Sequence, residues 1–220
     1  MPALEAHELY RFFHVADTET AALRGVSLSL APGEIVAVTG PSGSGKSTLL
    51  NCLTGLDTPD AGHVDIAGTR MTRRPEAERA HMRASNFGIL MQSGNLFEHF
   101  TVAANVDFQL RLLGRRDPAR VEQLLQSVGL EHRAGARPTQ LSGGETARAG
   151  LAVALSGDPS ILIADEPTAE VDEDTEALLM EHFESRRRRG LSTLIATHSE
   201  ALSRRAGRVI RLQDGRCLDA

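Results

Sequence analysis

Gly40-Pro41-Ser42-Gly43-Ser44-Gly45-Lys46-Ser47-Thr48 decides the fold, because this stretch matches the phosphate-loop pattern GxxxxGK[ST] in full. The apolar, β-prone segment 34–39 precedes it, and Leu49, Leu50 and Leu53 predict a helix after it. Glycines let backbone N–H groups approach phosphate oxygens, and the positive end of the helix would face the same phosphates. A flexible Gly/Ser linker is the alternative, but it predicts neither a flanking strand nor an amphipathic helix. The stretch therefore predicts a strand-loop-helix unit that binds phosphate groups.

Two side chains of this loop have the chemistry of a phosphate site. Lys46 can reach the β- and γ-phosphates, and Ser47 can supply a hydroxyl ligand for Mg²⁺. These roles alone leave kinases, GTPases and many ATPases open. The rest of the chain has to decide between them.

Length, charge and composition limit the class of protein. The 220 residues suffice for one α/β domain with a substantial core, and we take 1–220 as a single domain. A net charge of −5 argues against a general nucleic-acid binder, so no nucleic-acid partner is expected. No apolar run approaches the ~18 residues that span a bilayer, and the N-terminal residues do not form a signal peptide. We therefore expect a cytosolic protein unless a partner holds it at a membrane, with Cys52 and Cys217 as reduced thiols.

Hydrophobic periodicity changes along the chain and predicts the order of its elements. Alternation with period two before the phosphate loop predicts strands joined by a turn. Apolar steps of three and four residues over 101–128 predict helices that are broken near Gly114 and Pro118. The continuous apolar runs 161–164 and 192–197 are typical of strands that are buried on both faces.

Between those two runs, the segment from Asp174 to Arg189 predicts a helix. Its last residues are four arginines ahead of Gly190, which are typical of cations at a glycine-capped helix C terminus. The whole pattern indicates an α/β fold with a doubly wound core, a β-rich N-terminal lobe and a helical insertion. We assign residues 1–92 and 158–220 to the nucleotide-binding core with its β subdomain, and 93–157 to the helical subdomain.

Asp165 and Glu166 place two carboxylates at the end of the first buried run, where ligands of α/β sheets gather. Asp165 suits a role toward Mg²⁺, directly or through water, because this ion prefers oxygen ligands. Glu166 is then free to polarise the attacking water. An acid pair at a helix N terminus is the alternative, and it would be preferred if no phosphate loop stood upstream.

Leu141-Ser142-Gly143-Gly144-Glu145 begins a further helical stretch. A serine hydroxyl, glycine amides and a helix N terminus together form an anion-binding edge, although an ordinary serine N-cap is the simpler alternative. The motifs LSGGE, GPSGSGKST and ILIADEPT, in this chain's order and spacing, resemble those of the ATP-binding cassette (ABC) ATPases. LSGGE is the signature that other phosphate-loop families lack, and the resemblance covers nearly the whole chain.

This resemblance implies an α/β phosphate-loop NTPase core of the RecA-like, doubly wound type, with an N-terminal antiparallel β subdomain and an inserted α-helical subdomain. It also implies an ATPase that binds ATP and Mg²⁺, and it assigns roles to residues that would otherwise stay unassigned. Phe13 looks like the aromatic residue that stacks on adenine, with Tyr10 and Phe12 as competitors, and Asp172 matches the loop that crosses between two cassettes. The implied catalytic residues are Lys46, Gln92, Glu166 and His198, and the implied metal ligands are Ser47, Gln92 and Asp165. Nucleotide contacts are implied for Phe13, Gly40, Pro41, Ser42, Gly43, Ser44, Gly45, Lys46, Ser47, Thr48, Gln92, Ser142, Gly143, Gly144, Asp165, Asp172 and His198.

The resemblance also implies partners. The LSGGE edge is expected to close over the ATP of a second cassette, in a homodimer or a heterodimer, and the cycle would drive an integral membrane permease through the surface around 93–100. Segments 55–62 and 95–106 look like the lipoprotein-releasing and macrolide-efflux subgroup. The related cell-division cassettes leave open a mechanotransmitting role without transport. The expected location is the cytoplasmic face of the plasma membrane, held peripherally by the permease.

The chain departs from the family pattern in three places. Glutamines usually follow the signature, whereas Thr146 and Ala147 stand here, and an arginine is missing at Val153. The crossing loop is AEVD over 169–172, and Ser199 replaces a frequent aspartate. These changes put regulation and hydrolysis rate in doubt but remove no nucleotide ligand, so we expect an active ATPase.

Overall fold

A computed structural model describes residues 1–15, 18–169 and 171–218, and in it the chain forms two β-sheets covered by helices. The strands are β1 (Leu4–Val15), β2 (Thr18–Leu30), β3 (Ile35–Thr39), β4 (Ala61–Ile66), β5 (Thr69–Arg70), β6 (Phe87–Leu90), β7 (Ile161–Asp165), β8 (Ser192–Ala196), β9 (Arg208–Gln213) and β10 (Arg216–Cys217). The helices are α1 (Lys46–Leu53), α2 (Glu76–Asn86), α3 (Val102–Leu112), α4 (Pro118–Ser127), α5 (Gly143–Leu155), α6 (Glu173–Arg188) and α7 (Glu200–Arg205), with short 3-10 turns at Glu131–Arg133 and Pro138–Gln140.

The first sheet is antiparallel, four-stranded and ordered β2-β1-β4-β5. It is the predicted N-terminal β subdomain. The second sheet is ordered β10-β9-β3-β8-β7-β6, and its strands pair in parallel except at the β9–β10 hairpin. This sheet is the predicted doubly wound core.

Strand order in the second sheet positions the site. Strands β3, β8, β7 and β6 are consecutive neighbours that run in parallel, so their carboxyl ends lie along one edge. The phosphate loop follows β3, Gln92 follows β6, Asp165 ends β7 and His198 follows β8. Four segments that are far apart in sequence therefore meet at one place.

The second sheet also separates two hydrophobic cores, because successive side chains of a strand point to opposite faces. Ile161 and Ile163 pack with α1 and the β subdomain, whereas Leu162 and Ala164 pack with α3, α4, α5 and α6. All five residues of β7 and of β8 are buried, as the apolar runs predicted. The predicted break between helices is also confirmed, since α3 ends at Leu112 and Asp117 caps α4. Within the described residues, no helix combines the length and apolarity needed to cross a bilayer.

Helix α6 differs from its prediction at both ends and at one arginine. It begins one residue earlier, because the Asp172 carboxylate accepts the backbone N–H of Thr175 at 2.8 Å and caps the helix. Arg186, predicted as one of the cations at the helix C terminus, is only 4 % exposed and donates to the carbonyls of Pro159 and Ser192 at 3.0 and 3.2 Å. Burial lowers the pKa of Arg186 to about 10. This residue ties α6 to β8, while the three arginines after it are exposed.

Candidate active site

The phosphate loop forms a cradle that only glycine permits at two positions. A Cβ on Gly40 would lie 2.1 Å from the Leu212 carbonyl oxygen, and one on Gly45 would lie 2.4 Å from the Ala22 carbonyl oxygen. Gly45 is also the N-cap of α1, with φ of 104° and no side chain capping the helix. The first N–H groups of α1 therefore stay available for an anion, and the positive end of the helix dipole favours the same anion.

A cavity of about 870 Å³ opens beside this cradle and brings together most of the predicted site residues. Ser44, at 3 % exposure, is the one residue of the loop outside the cavity wall. The other predicted residues outside it are Ser142, Gly143, Gly144 and Asp172. Thr20, Ala21, Ala22, Arg24 and Asp214 line the wall as well, and the sequence analysis did not anticipate them. The predicted residues in the wall are Phe13, Gly40, Pro41, Ser42, Gly43, Gly45, Lys46, Ser47, Thr48, Gln92, Asp165, Glu166 and His198.

Lys46 is the only lysine of the chain and lies across the mouth of the loop. Its ammonium group donates to the carbonyl oxygens of Gly40 and Pro41, at 2.8 and 3.2 Å. These bonds hold a positive charge beside the open amides of α1. The arrangement suits a polyphosphate, whose oxygens can replace the carbonyl acceptors.

Asp165 has the environment of a metal ligand. Its side chain is buried at the end of β7, and its Oδ1 atom has no hydrogen-bond partner in the structure. Burial raises the pKa of Asp165, the Glu166 carboxylate acts in the same direction, and a hydrogen bond from Ser47 opposes both. A buried carboxylate oxygen without a partner is costly unless a cation or a donor completes it. Together with the Ser47 hydroxyl, this oxygen donor set fits Mg²⁺.

Glu166 and His198 form a pair at the cavity wall. The Glu166 Oε2 atom lies 2.9 Å from His198 Nδ1 and also accepts the His198 backbone N–H at 3.2 Å. The backbone of Glu166 has φ of 46° and donates its N–H to the Ala196 carbonyl at 2.8 Å. A positive φ at a non-glycine residue is strained and persists only where surrounding contacts enforce it. Here the end of β8 holds the carboxylate toward the cavity.

Phe13, rather than its two aromatic neighbours, lines the cavity. The Arg11 guanidinium lies over the Phe13 ring, 4.8 Å from its centroid. Arg11 is fixed in turn by Asp57 at 2.8 Å and Asp60 at 3.2 Å. Sequence reasoning missed this support, since the ion pairs join residues 46 or more positions apart.

Gln92 lies between two cavities. A second cavity of about 360 Å³ shares Gln92 and Glu166 with the first and is also lined by Gly143. Asn95 holds the backbone just before Gln92: its amide accepts the Met91 N–H at 2.8 Å and donates to the Met91 carbonyl at 2.6 Å. The sequence analysis used Asn95 only as a marker of similarity and missed this role.

The LSGGE segment lies apart from the phosphate loop. Ser142 caps α5 in a reciprocal arrangement, accepting the Glu145 N–H at 3.2 Å while the Glu145 carboxylate accepts the Ser142 N–H at 2.9 Å. The hydrogen bond from Ser142 and the charge of Arg133 lower the pKa of Glu145. Neither Ser142 nor Gly144 lines the larger cavity.

Gly144 instead faces the loop that precedes α6. A Cβ on Gly144 would lie 2.5 Å from Asp172 Oδ2, so the signature and the crossing loop are packed against each other. Glu170 of the AEVD segment lies outside the described residues. Ser199, where the chain departs from the family pattern, caps α7 by accepting the Leu202 N–H at 3.4 Å.

Comparison with known proteins agrees with this geometry. The family model described as ABC transporter matches residues 23–169. The ATP-binding cassette MJ0796, in a dimeric post-hydrolysis state bound to ADP and Pi, is similar at 30% identity with a TM-score of 0.93, over 98% of this chain and 96% of that one. Another dimeric structure of MJ0796, described as a bacterial ABC transporter cassette, gives the same values. The ADP conformation of MJ1267, an ATP-binding cassette of an ABC transporter, is similar at 25% identity with a TM-score of 0.82, over 99% and 90%.

The expectation from the LSGGE, phosphate-loop and ILIADEPT motifs is therefore confirmed at the level of family, fold and enzyme class. The matched region contains the phosphate loop, the signature, and both Asp165 at the end of β7 and Glu166 after it. The chain belongs to the ABC transporter family and is one of its ATP-binding cassettes, an ATPase.

Proposed function

We propose that this chain works in pairs, with the signature of one cassette closing on the ATP held by the other. One observation carries the proposal: among the described residues, the phosphate loop lines the larger cavity, whereas Gly143 of the signature lines the smaller one. Ser142 and Gly143 are exposed, so they are available to a second molecule. The similar cassette MJ0796 is dimeric, which supports the pairing of two such chains.

Within each pair, the cradle residues would bind the nucleotide before closure. The loop amides and Lys46 would bind the phosphates, and Phe13 would stack on the adenine. Ser47, Gln92 and Asp165 would hold Mg²⁺, which when bound neutralises charge on the β- and γ-phosphates. Ser142, Gly143 and Gly144 of the second cassette would complete the site. Asp172 would lie in the loop that crosses between the two cassettes.

Glu166 is the proposed general base, since its carboxylate reaches the cavity at the end of β7. His198 touches this carboxylate at 2.9 Å and would orient it while contacting the γ-phosphate. Glu166 would accept a proton from the attacking water, and catalysis would otherwise lie in positioning and charge stabilisation. Opening of the pair after hydrolysis would complete the cycle.

The partner that receives this motion is proposed to be an integral membrane permease. Phe97, Phe100 and Phe108, here called the phenylalanine cluster, pack with ring centroids 5.2 to 5.6 Å apart on the segment that follows Gln92. Phe97 is 58 % exposed and Phe100 is 37 % exposed. Exposed aromatic rings grouped in this way mark interaction sites, and their proximity to Gln92 would link the partner to the nucleotide. We propose that 93–157 moves as the helical subdomain in this coupling.

We place the complex in the lipoprotein-releasing and macrolide-efflux subgroup, at the cytoplasmic face of the plasma membrane, where it would export a lipoprotein, peptide or drug-like substrate. The resemblance of segments 55–62 and 95–106 favours this subgroup. A mechanotransmitting cassette of the cell-division type is the second candidate, because its sequence pattern is closely related. The substrate itself would be selected by the membrane subunit.

Recovery of the partner from membranes tests this proposal. Detergent extracts of cells that express tagged Glu166→Gln protein should yield a protein with several membrane spans, identified by mass spectrometry. Phe97→Ser combined with Phe100→Ser should lose that partner, whereas Leu112→Ser, also on an exposed apolar residue of this region, should retain it. Recovery of no membrane protein, or equal recovery by both variants, would contradict the permease assignment. Vesicles reconstituted with the recovered complex then separate transport from mechanotransmission.

A further inference from the structure

The outer face of the antiparallel sheet carries a cluster of three side chains that the nucleotide chemistry does not use. His7 of β1 and His63 of β4 are direct cross-strand partners, and Asp65 follows two residues along β4. Val64 and Ile66 are buried, so the alternate residues His63 and Asp65 point away from the core. None of the three belongs to the described lining of the nucleotide cavity.

The potential ligand atoms of the cluster lie close together. The two imidazole rings stack with centroids 4.6 Å apart, and His63 Nε2 lies 3.6 Å from Asp65 Oδ2. One ligand atom from each of the three residues lies within 4.8 Å of the others. In a tetrahedral site with bonds of about 2.0 to 2.1 Å, ligand atoms are about 3.3 Å apart. His63 and Asp65 nearly meet that spacing, and the exposed His7 reaches it by a small rotation of its ring.

The surrounding structure fixes the backbone and the carboxylate of this cluster. Gly62 has φ of 84°, and a Cβ there would lie 2.4 Å from the His7 carbonyl oxygen, so the two strands approach closely beside the histidines. Arg70 of β5 donates to Asp65 Oδ1 at 2.5 Å and leaves Oδ2 directed at His63. Glu5, opposite Asp65 in the β1–β4 register, adds a negative charge on the same face. A second contact that orients a ligating carboxylate is typical of metal sites.

We propose that His7, His63 and Asp65 bind a divalent transition-metal ion, with Zn²⁺ as the probe and water as the fourth ligand. Two imidazole nitrogens and one carboxylate oxygen suit Zn²⁺ and its neighbours, whereas Mg²⁺ and Ca²⁺ require oxygen ligands. Binding joins β1 to β4 across the middle of the sheet. Phe13 lies further along β1, so the ion stabilises the strand that carries the adenine-facing ring.

Zinc titration of the full chain, without affinity tag or nucleotide and with excess Mg²⁺, tests the site. Competition with a chromogenic zinc indicator should show one high-affinity equivalent, and zinc should raise the unfolding temperature. His7→Ala and His63→Ala should each weaken binding about tenfold or more and remove the rise in unfolding temperature. His81→Ala, on the exposed side of α2, is the matched control and should leave both readings unchanged.

Metal-free unfolding temperatures show whether each variant is folded, and Asp65→Asn gives a variant of nearly equal size as a third test. Equal zinc affinity in the parental chain and the His7→Ala, His63→Ala double variant would overturn the proposal. The proposal would also be overturned if the parental chain bound no zinc ion more tightly than the double variant does. Neither result would bear on the paired ATPase, because that function uses a different face of the molecule.

Discussion

The phosphate cradle and the signature edge are both glycine-containing helix N termini, yet the chain builds them in opposite ways. Helix α1 begins after Gly45 with no side-chain cap and faces the cavity of about 870 Å³. Helix α5 begins after Ser142, whose side chain and that of Glu145 cap each other on an exposed surface. The first end leaves its N–H groups open toward the larger cavity, whereas the second has a capped first turn whose Ser142 and Gly143 are exposed. A helix terminus therefore indicates a ligand site only together with its surroundings.

Glu166→Gln should have the largest effect and separates binding from chemistry within the cradle. Loss of the general base is expected to slow ATP turnover by about 10²- to 10⁴-fold with ATP affinity retained. Phosphate release and nucleotide titration measure the two quantities. Glu173→Gln, an exposed acid in the first turn of α6, is the control and should turn over normally. Parental turnover by the Glu166 variant would refute the assignment of the base.

Ser142→Arg addresses the other side of the comparison. The variant should retain monomer affinity for ATP but lose about 10²-fold in turnover, because the signature could no longer donate to a partner's nucleotide. Losing the helix cap also costs about 1 kcal/mol of unfolding free energy. Asp117→Arg removes the cap of α4 away from the site, so it should show the stability loss without the loss of turnover. If the Ser142→Arg and Asp117→Arg variants hydrolysed ATP at the same rate, the signature would have no role at the site.

Lys46→Ala should weaken ATP binding by about 10- to 100-fold, since a charge-assisted contact with the phosphates is removed. A fluorescent ATP analogue measures the affinity, with the exposed Arg116→Ala as control. The chain has no other lysine, so amine-selective acylation reports on this side chain alone, apart from the N terminus. Mg·ATP should protect Lys46 from acylation. If Lys46 were acylated equally fast with and without saturating Mg·ATP, the phosphates would have to bind elsewhere.

Phe13→Ala should weaken ATP binding by about 2- to 10-fold, as expected for the loss of one stacked ring. Tyr10→Ala and Phe12→Ala serve as controls, because those rings stack on each other with centroids 6.4 Å apart and do not line the cavity. An equal loss in all three variants would indicate a general weakening of β1. A loss confined to Phe12 or Tyr10 would reassign the adenine contact.

Asp165→Asn should stabilise the folded chain slightly, whereas Ser142→Arg should destabilise it. The pKa of Asp165 is raised by burial, so the folded state holds its proton at pH values where the unfolded chain has released it. Stability is therefore lost as pH rises from 3.8 through the folded pKa, and the penalty is complete above that folded pKa. At pH 7 the free energy of unfolding of the variant should exceed that of the parental chain by on the order of 1 kcal/mol. This difference should shrink toward pH 4. Denaturant titrations of this variant and of exposed Asp174→Asn measure the difference.

Local patterns in the sequence predicted much of the fold and the cradle. Uninterrupted apolar runs predicted β7 and β8, and the glycine spacing predicted the loop before α1. Gln92 and His198 followed only from family resemblance, because a single amide or imidazole has no distinctive local pattern. Three features were not predicted: the contact of Arg11 with Phe13, the hydrogen bonds of Asn95 to the Met91 backbone, and the burial of Arg186. Each depends on contacts made only when the chain folds.

Sedimentation velocity of Glu166→Gln protein, with and without Mg·ATP, tests the central claim most directly. Blocked hydrolysis should trap the pair, so the account predicts monomers without nucleotide and dimers that hold two ATP with it. Adding Ser142→Arg to the same chain should return the protein to monomers that still bind one ATP each. A Glu166→Gln chain that stays monomeric while saturated with Mg·ATP, with no related cassette able to pair with it, would contradict the account.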